Sequence, residues 1–219
     1  IDFIRTYLIE DFTGIKYLTN LQSLYIHSSI SSLDFLKPFL NRSDFICLYL
    51  YDTAKITDFS IIKSLTQLES LGICNNDYSK ITFLDEFPNL KTLCLQSDNI
   101  SDTSSFTSLK DLTSLDLSNN NISDIGNLIY MTNLTTLEIE NNSINDISTL
   151  KSLTNLEWLK LGWNEIKDLS PLENLTNLYY LSIIENNMDL KAGTNNKTIL
   201  DKLIANGCST KYSQGNTTD

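Results

Sequence analysis

Few residues in this chain have the type or spacing to do chemistry. One histidine, His27, stands among 219 residues, so any Ser-His-Asp or Cys-His relay would have to be built around it. No glycine-rich phosphate loop, His-Glu-x-x-His or Cys-x-x-Cys motif occurs. Five aspartates recur at the same place in the repeat (Asp58, then Asp102, Asp124, Asp146 and Asp168 at 22-residue intervals) and are the natural place to look for calcium. None has a second acid or a glycine-rich ligand loop beside it, so capping a short turn is the better reading. Neither metal nor cofactor is expected, and catalysis is not expected either. Lys and Arg total 16 against 27 Asp and Glu, a net charge of −11 that repels phosphate backbones and anionic lipid. No nucleic-acid partner is therefore expected. No apolar run reaches the roughly 20 residues that a membrane-spanning helix needs.

The elements that must position these residues are repetitive. The chain holds 36 Leu and 24 Asn but no Val, a skew that suggests one pattern copied many times. The block Leu-x-x-Leu-x-Leu-x-x-Asn-x-Ile runs from Leu112 through Leu115, Leu117 and Asn120 to Ile122, and returns from Leu134, Leu156 and Leu178. Earlier copies start at Leu21, Phe45, Leu68 and Leu90, so successive starts lie 24, 23, 22, 22, 22, 22 and 22 residues apart. Alternation such as Leu137 and Ile139 predicts a short strand with one buried face. One unit cannot bury its apolar side chains alone, so units stack with parallel strands about 4.8 Å apart. The recurrent amide (Asn76, Asn120, Asn142, Asn164, Asn186) falls where each strand ends and is expected to form a hydrogen-bonded ladder, with Asp98 replacing it once. Apolar residues three apart, such as Ile147, Leu150 and Leu153, predict 3-10 or single-turn helices on the return half.

The ends read differently. Thr194 is expected to cap a helix carrying Ile199, Leu200, Leu203 and Ile204 on one face and stopped by Gly207, with an edge strand within Cys208 to Ser213. At the start, Ile9 to Leu21 matches the end of a repeat, so Ile1-Asp2-Phe3 is expected as a partial extra strand. A chain opening in mid-repeat is what a fragment or processed product would show. The expected division is a solenoid over residues 1–190 (about eight full repeats and a partial one), a cap over 191–213 and a loose tail over 214–219.

The stretch Ile166-Lys167-Asp168-Leu169-Ser170-Pro171-Leu172-Glu173-Asn174-Leu175-Thr176-Asn177-Leu178 resembles the repeat of the bacterial internalin-type leucine-rich repeat family. Leu18-Thr19-Asn20-Leu21, Met131-Thr132-Asn133-Leu134 and Leu153-Thr154-Asn155-Leu156 carry the same joint. The early copies depart from it through their length and through Phe45, Tyr78 and Phe87. The resemblance implies an α/β repeat fold: a leucine-rich repeat solenoid with a concave parallel sheet, convex 3-10 turns and a helix-strand cap. It also implies a surface or secreted protein, although such repeats serve adhesion, signalling and scaffolding alike.

On the concave face the residues beside the strand leucines point into the hollow. The middle offers Ser114, Asp116, Thr136, Glu138 and Glu140; the seventh and eighth copies offer Trp158, Lys160, Trp163 and Tyr180; the first two offer Tyr25, His27, Tyr49 and Tyr51. Both tryptophans are expected on one exposed stripe, as anchors of a protein interface, with Glu138 and Glu140 supplying charge complementarity. The structural alternative is that they cover a neighbouring repeat or the cap. Aromatics beside acids also suit sugar stacking, which leaves a glycan ligand open. Cys47, Cys74 and Cys94 are placed on the same exposed face at different heights. Cys74 and Cys94 are one strand apart and two residues out of step, roughly 8 Å between Cα atoms, against a disulfide limit of about 7 Å. Free thiols are expected, and these fit a reducing compartment. The alternative to a surface protein is thus an intracellular scaffold resembling the phosphatase-regulating branch of short-repeat proteins.

Overall fold

The computed structural model describes residues 3–7, 11–53, 56, 58–76 and 82–213; the expected loose tail and Tyr78 lie outside them. Among the described residues ten strands form one parallel sheet in chain order. They are β1 (Phe3–Tyr7), β2 (Ser23–His27), β3 (Cys47–Tyr51), β4 (Ser70–Cys74), β5 (Thr92–Cys94), β6 (Ser114–Asp116), β7 (Thr136–Glu138), β8 (Trp158–Lys160), β9 (Tyr180–Ser182) and β10 (Ser209–Lys211). The register puts Leu24, Leu48, Leu71, Leu93, Leu115, Leu137, Leu159 and Leu181 in one file, each wholly buried. This file is the spine of the core. Burying one such side chain stabilises the stack by about 1.5–3 kcal/mol.

Each return segment is short because 22 residues leave room for little else. Five-residue 3-10 turns at Ser104–Ser108, Gly126–Tyr130 and Ser148–Ser152 bury Phe106, Leu128 and Leu150. The longer early copies hold Asp34–Phe39 and an α-helical turn, α1 (Ser60–Lys63), instead. There Phe39 stacks on Phe45 at 4.3 Å, so the extra length is filled by rings where later copies use leucine. The five recurrent aspartates enter these turns as expected: Oδ1 of each accepts the backbone N–H two residues on, at 2.7–2.8 Å.

The ladder also forms. In Asn120, Asn142, Asn164 and Asn186 the Nδ2 group donates to the carbonyls two, three and 25 residues earlier, so each rung ties its own turn to the preceding repeat. Their Oδ1 atoms accept the N–H of Ile100, Ile122, Ile144 and Ile166. Thr53 fills the rung position of the β3 repeat, with Oγ1 donating to Asn76 Oδ1, a substitution that the spacing of the asparagines does not reveal. The residue before each rung takes positive φ: Asp52, Asn75, Ser97, Asn119, Asn141, Trp163 and Glu185, between 50° and 62°.

The ends need two remarks. An extra first strand is present as the five-residue β1, paired with β2, and it runs on from Phe3 to Tyr7; Ile1 and Asp2 lie outside the described residues. At the other end, Thr194 caps α2 (Asn195–Ala205) by accepting the Lys197 N–H, and Gly207 (φ 93°) closes it before β10. Ile204, however, is 41% exposed, because the buried face of α2 is narrower than the apolar spacing suggested and uses only Ile199, Leu200 and Leu203.

Candidate functional site

The residues between the strand leucines form three rows across the concave face. The middle row runs Arg5, Tyr25, Tyr49, Gly72, Cys94, Asp116, Glu138, Lys160, Ser182 and Lys211. A second row holds Phe3, Ser23, Cys47, Ser70, Thr92, Ser114, Thr136, Trp158, Tyr180 and Ser209, and a third begins Tyr7, His27, Tyr51 and Cys74. The sheet thus divides into an aromatic N-terminal end, a thiol zone, an acidic centre and an aromatic C-terminal end.

At the N-terminal end Tyr25 stacks on Tyr49 (4.8 Å, 10°), with Phe3 beyond Tyr25, while His27 stacks on Tyr51 with Tyr7 beyond it. His27 Nε2 is paired with Asp52 Oδ2, which makes it a surface side chain held by a carboxylate. Tyr25 accepts the Cys47 thiol at 3.2 Å, and Tyr49 accepts the Ser70 hydroxyl at 3.1 Å. Burial raises the pKa of Tyr25, Tyr49 and Tyr51 above the ordinary tyrosine value, so all three stay protonated. Tyr49 can lie flat only because Gly72 has no side chain: a Cβ there would sit 2.1 Å from Tyr49 Cδ1. That glycine was a legible sign of a ring crossing the sheet. Sequence reasoning also missed a cavity of about 240 Å³ between Arg5, Tyr25, His27 and Tyr51, and a larger one of about 760 Å³ off the concave face between Phe12, Ile15, Ile30 and Phe35.

In the acidic centre Asp116 accepts the Ser118 N–H at 2.9 Å, and burial raises its carboxyl above the usual range. Glu138 does not stand free: it pairs with Lys160 at 2.9 Å. Burial lowers the Lys160 pKa, but the hydrogen bond and charge of Glu138 outweigh it and hold the ammonium above its ordinary value. Glu140 reaches across the vacant Gly162 position to accept the Ser182 hydroxyl at 3.0 Å, two repeats away.

The two tryptophans part company. Trp158 lies on the sheet, half-buried, stacked on Tyr180 at 3.9 Å and 14°, with Lys160 over its ring. Its Nε1 is buried without an acceptor among the described residues. Trp163 sits on the rim, 48% exposed, at a backbone φ of 52°. They therefore do not share one stripe. The cysteines differ from expectation too: Cys47 and Cys74 are buried under the aromatic rows, at 8% and 1% exposure, and only Cys94 is part-exposed. All four cysteines are free, yet the Cys74 and Cys94 sulfurs are 2.8 Å apart. The register is two residues out of step as expected, but the side chains lean toward each other and close a gap that Cα spacing alone left open.

Comparison with known proteins agrees with this architecture. A leucine-rich repeat family model covering two copies matches residues 88–130 and 110–152. An internalin (inlF) structure from Listeria monocytogenes aligns at 29% identity and a TM-score of 0.80, over 96% of this chain and 66% of that one. Internalin C2 from the same organism aligns at 30% identity and a TM-score of 0.69, over 86% of this chain and 81% of that one. The functional domain of Listeria InlJ, described as including a cysteine ladder, shares the fold at 24% identity and a TM-score of 0.60; this chain spans 47% of its length. Here Cys47, Cys74 and Cys94 occupy three different rows and form no such ladder. No curated protein sequence gives a significant match.

Proposed function

The chain belongs to the internalin-type family of bacterial leucine-rich repeat proteins, and from that premise we propose that it is a non-catalytic protein-recognition module of a surface or secreted protein. One observation carries the choice of site: Trp163. Its six counterparts in the other repeats are Asp, Asn, Ser or Glu, short or polar residues at positive φ. A bulky ring in the left-handed region costs about 1 kcal/mol or more in backbone strain, and its exposed apolar surface adds a further penalty. Among the described residues no aromatic ring stacks on Trp163, and about half of its surface stays open to solvent. Such a residue is maintained for a contact outside the chain.

Trp163 is the anchor, and the Trp158–Tyr180 stack with Lys160 forms a shelf beside it. Glu138, Glu140 and Asp116 set the charge of the adjoining surface. The stack is pre-organised, so binding need not order it. The sugar-stacking alternative loses support from ring geometry, because Trp158 and Tyr180, like Tyr25 and Tyr49, each spend one face on the other. The reading of an intracellular scaffold keeps one observation in its favour, the four free thiols.

The test is affinity capture from host surface extract and from source-cell lysate, comparing the wild type with Trp163→Asn. The variant restores a residue suited to the left-handed backbone and keeps the fold. A protein held by the wild type and lost by the variant supports the recognition reading, and the extract it comes from separates surface protein from scaffold. Capture unchanged by the substitution removes Trp163 from the site and moves attention to Tyr25, His27, Tyr49 and Tyr51.

A further inference from the structure

The described residues hold one pair of thiols in direct contact, and the recognition reading does not use it. Cys74 ends β4 and Cys94 ends β5. Their sulfurs are 2.8 Å apart, inside the van der Waals contact of two sulfur atoms, and the Cys74 thiol also faces the Cys94 carbonyl at 3.6 Å. On its other side the Cys94 thiol faces Asp116 Oδ2 at 3.9 Å. Cys94 is part-exposed at the concave surface, whereas Cys74 is 1% exposed beneath it.

We propose that Cys74 and Cys94 form an oxidisable dithiol that takes a small-molecule disulfide as its substrate and closes to a cross-strand bond between β4 and β5. The asymmetry of exposure assigns the order of events. The accessible Cys94 sulfur attacks one sulfur of the small disulfide; that disulfide bond breaks, a mixed disulfide forms on Cys94, and the first small thiol departs with the Cys94 proton, for which Asp116 is a way-station. The hydrogen bond with the Cys94 thiol, and burial after it, hold the Cys74 proton on beforehand. Once Cys94 is in the mixed disulfide that hydrogen bond no longer exists, and the Cys74 sulfur attacks Cys94, forming the protein disulfide and expelling the second small thiol with the second proton. Two protein thiols are oxidised, one small disulfide is reduced to two thiols, and nothing else is consumed. The two-residue offset between the partners makes the product a strained bond that a reducing thiol reopens readily.

The test uses the native full chain and oxidised glutathione, read by intact mass and peptide mapping. The wild type should lose two hydrogens without retaining glutathione, with the link mapped to Cys74 and Cys94. Cys74→Ser should retain one glutathione on Cys94, because the resolving sulfur is gone, and Cys94→Ser should stay unmodified at position 74. Phenylarsine oxide, which bridges close thiol pairs, gives a readout without variants: one bound per wild-type chain, and none after prior oxidation. A wild type that retains glutathione, a link to Cys47 or Cys208, or no arsenical bound overturns the assignment.

Discussion

Asp98 is one of two rungs, with Thr53, at which the ladder departs from asparagine, and replacing it with the amide most rungs use is a sharp experiment. The side chain is wholly buried. Its Oδ1 accepts the Asn76 N–H at 2.8 Å, while Oδ2 has no partner among the described residues. By the spacing of the neighbouring rungs, the groups facing Oδ2 are the carbonyls of Ile73, Leu95 and Gln96. An ionised carboxylate has nothing to donate to them. Burial accordingly raises its pKa from 3.8 to about 8, against the opposing pull of the Asn76 N–H, and the neutral acid takes the place of the amide. Because the folded pKa lies above the unfolded one, the folded state binds the proton more tightly. The contribution is full below about pH 3.8, falls as pH rises through the interval to about 8, and is flat beyond it. At about 1.4 kcal/mol per unit, roughly 4 kcal/mol is lost between pH 3.8 and pH 7. Asp98→Asn removes that titration and supplies the missing donor. It should gain roughly 2–4 kcal/mol at pH 7, equivalent to about 5–15 °C in melting temperature for a chain of this size. Denaturant unfolding of both proteins from pH 5 to pH 8.5 checks it. The gap between them should widen by about 1.4 kcal/mol per pH unit, the signature of one proton, and level off above pH 8. A gap independent of pH, or an asparagine variant less stable than the wild type at pH 7, refutes the neutral-acid assignment.

The converse substitution, Asn142→Asp, removes a donor aimed at the carbonyls of Leu117, Ile139 and Glu140; it should lower stability by roughly 1–3 kcal/mol at pH 7 and by less at pH 5, as the same unfolding series would show. Trp163→Asn should leave the circular dichroism spectrum unchanged and raise the melting temperature slightly, since relief of left-handed strain is worth about 1 kcal/mol. A melting temperature that falls would mean the ring packs on the fold after all. Gly72→Ala places a methyl group within the Tyr49 ring and should cost about 1–3 kcal/mol and alter the near-ultraviolet dichroism of the Tyr25–Tyr49 stack. An unaltered spectrum would show that the ring does not lie across the sheet.

The repeat was legible because its physics is local and periodic. Leu137 must point inward wherever Thr136 and Glu138 point outward, and a unit too small to bury its own leucines can only stack. The turn aspartates and most ladder asparagines followed from the same spacing, since each acts on backbone groups within a few residues or one repeat away. Thr53 escaped because its rung is identified by the bond it makes to Asn76, not by its type. The early copies were harder to register because Phe39 and Phe45 fill by ring stacking what later copies fill with leucine.

Sequence alone therefore determined the fold, the parallel file of leucines, the capped C-terminal end and the set of side chains offered to the concave surface, all consequences of a 22-residue period. Tertiary structure decided which of those side chains are available. Trp158 spends its face on Tyr180, Glu138 its charge on Lys160, and Glu140 reaches Ser182 over a glycine, while Cys74 and Cys94 meet across an offset that strand spacing had seemed to forbid. The reason is one of scale: a repeat dictates where each Cα stands, but a long side chain can reach its neighbour's column, and that choice depends on every adjacent repeat at once.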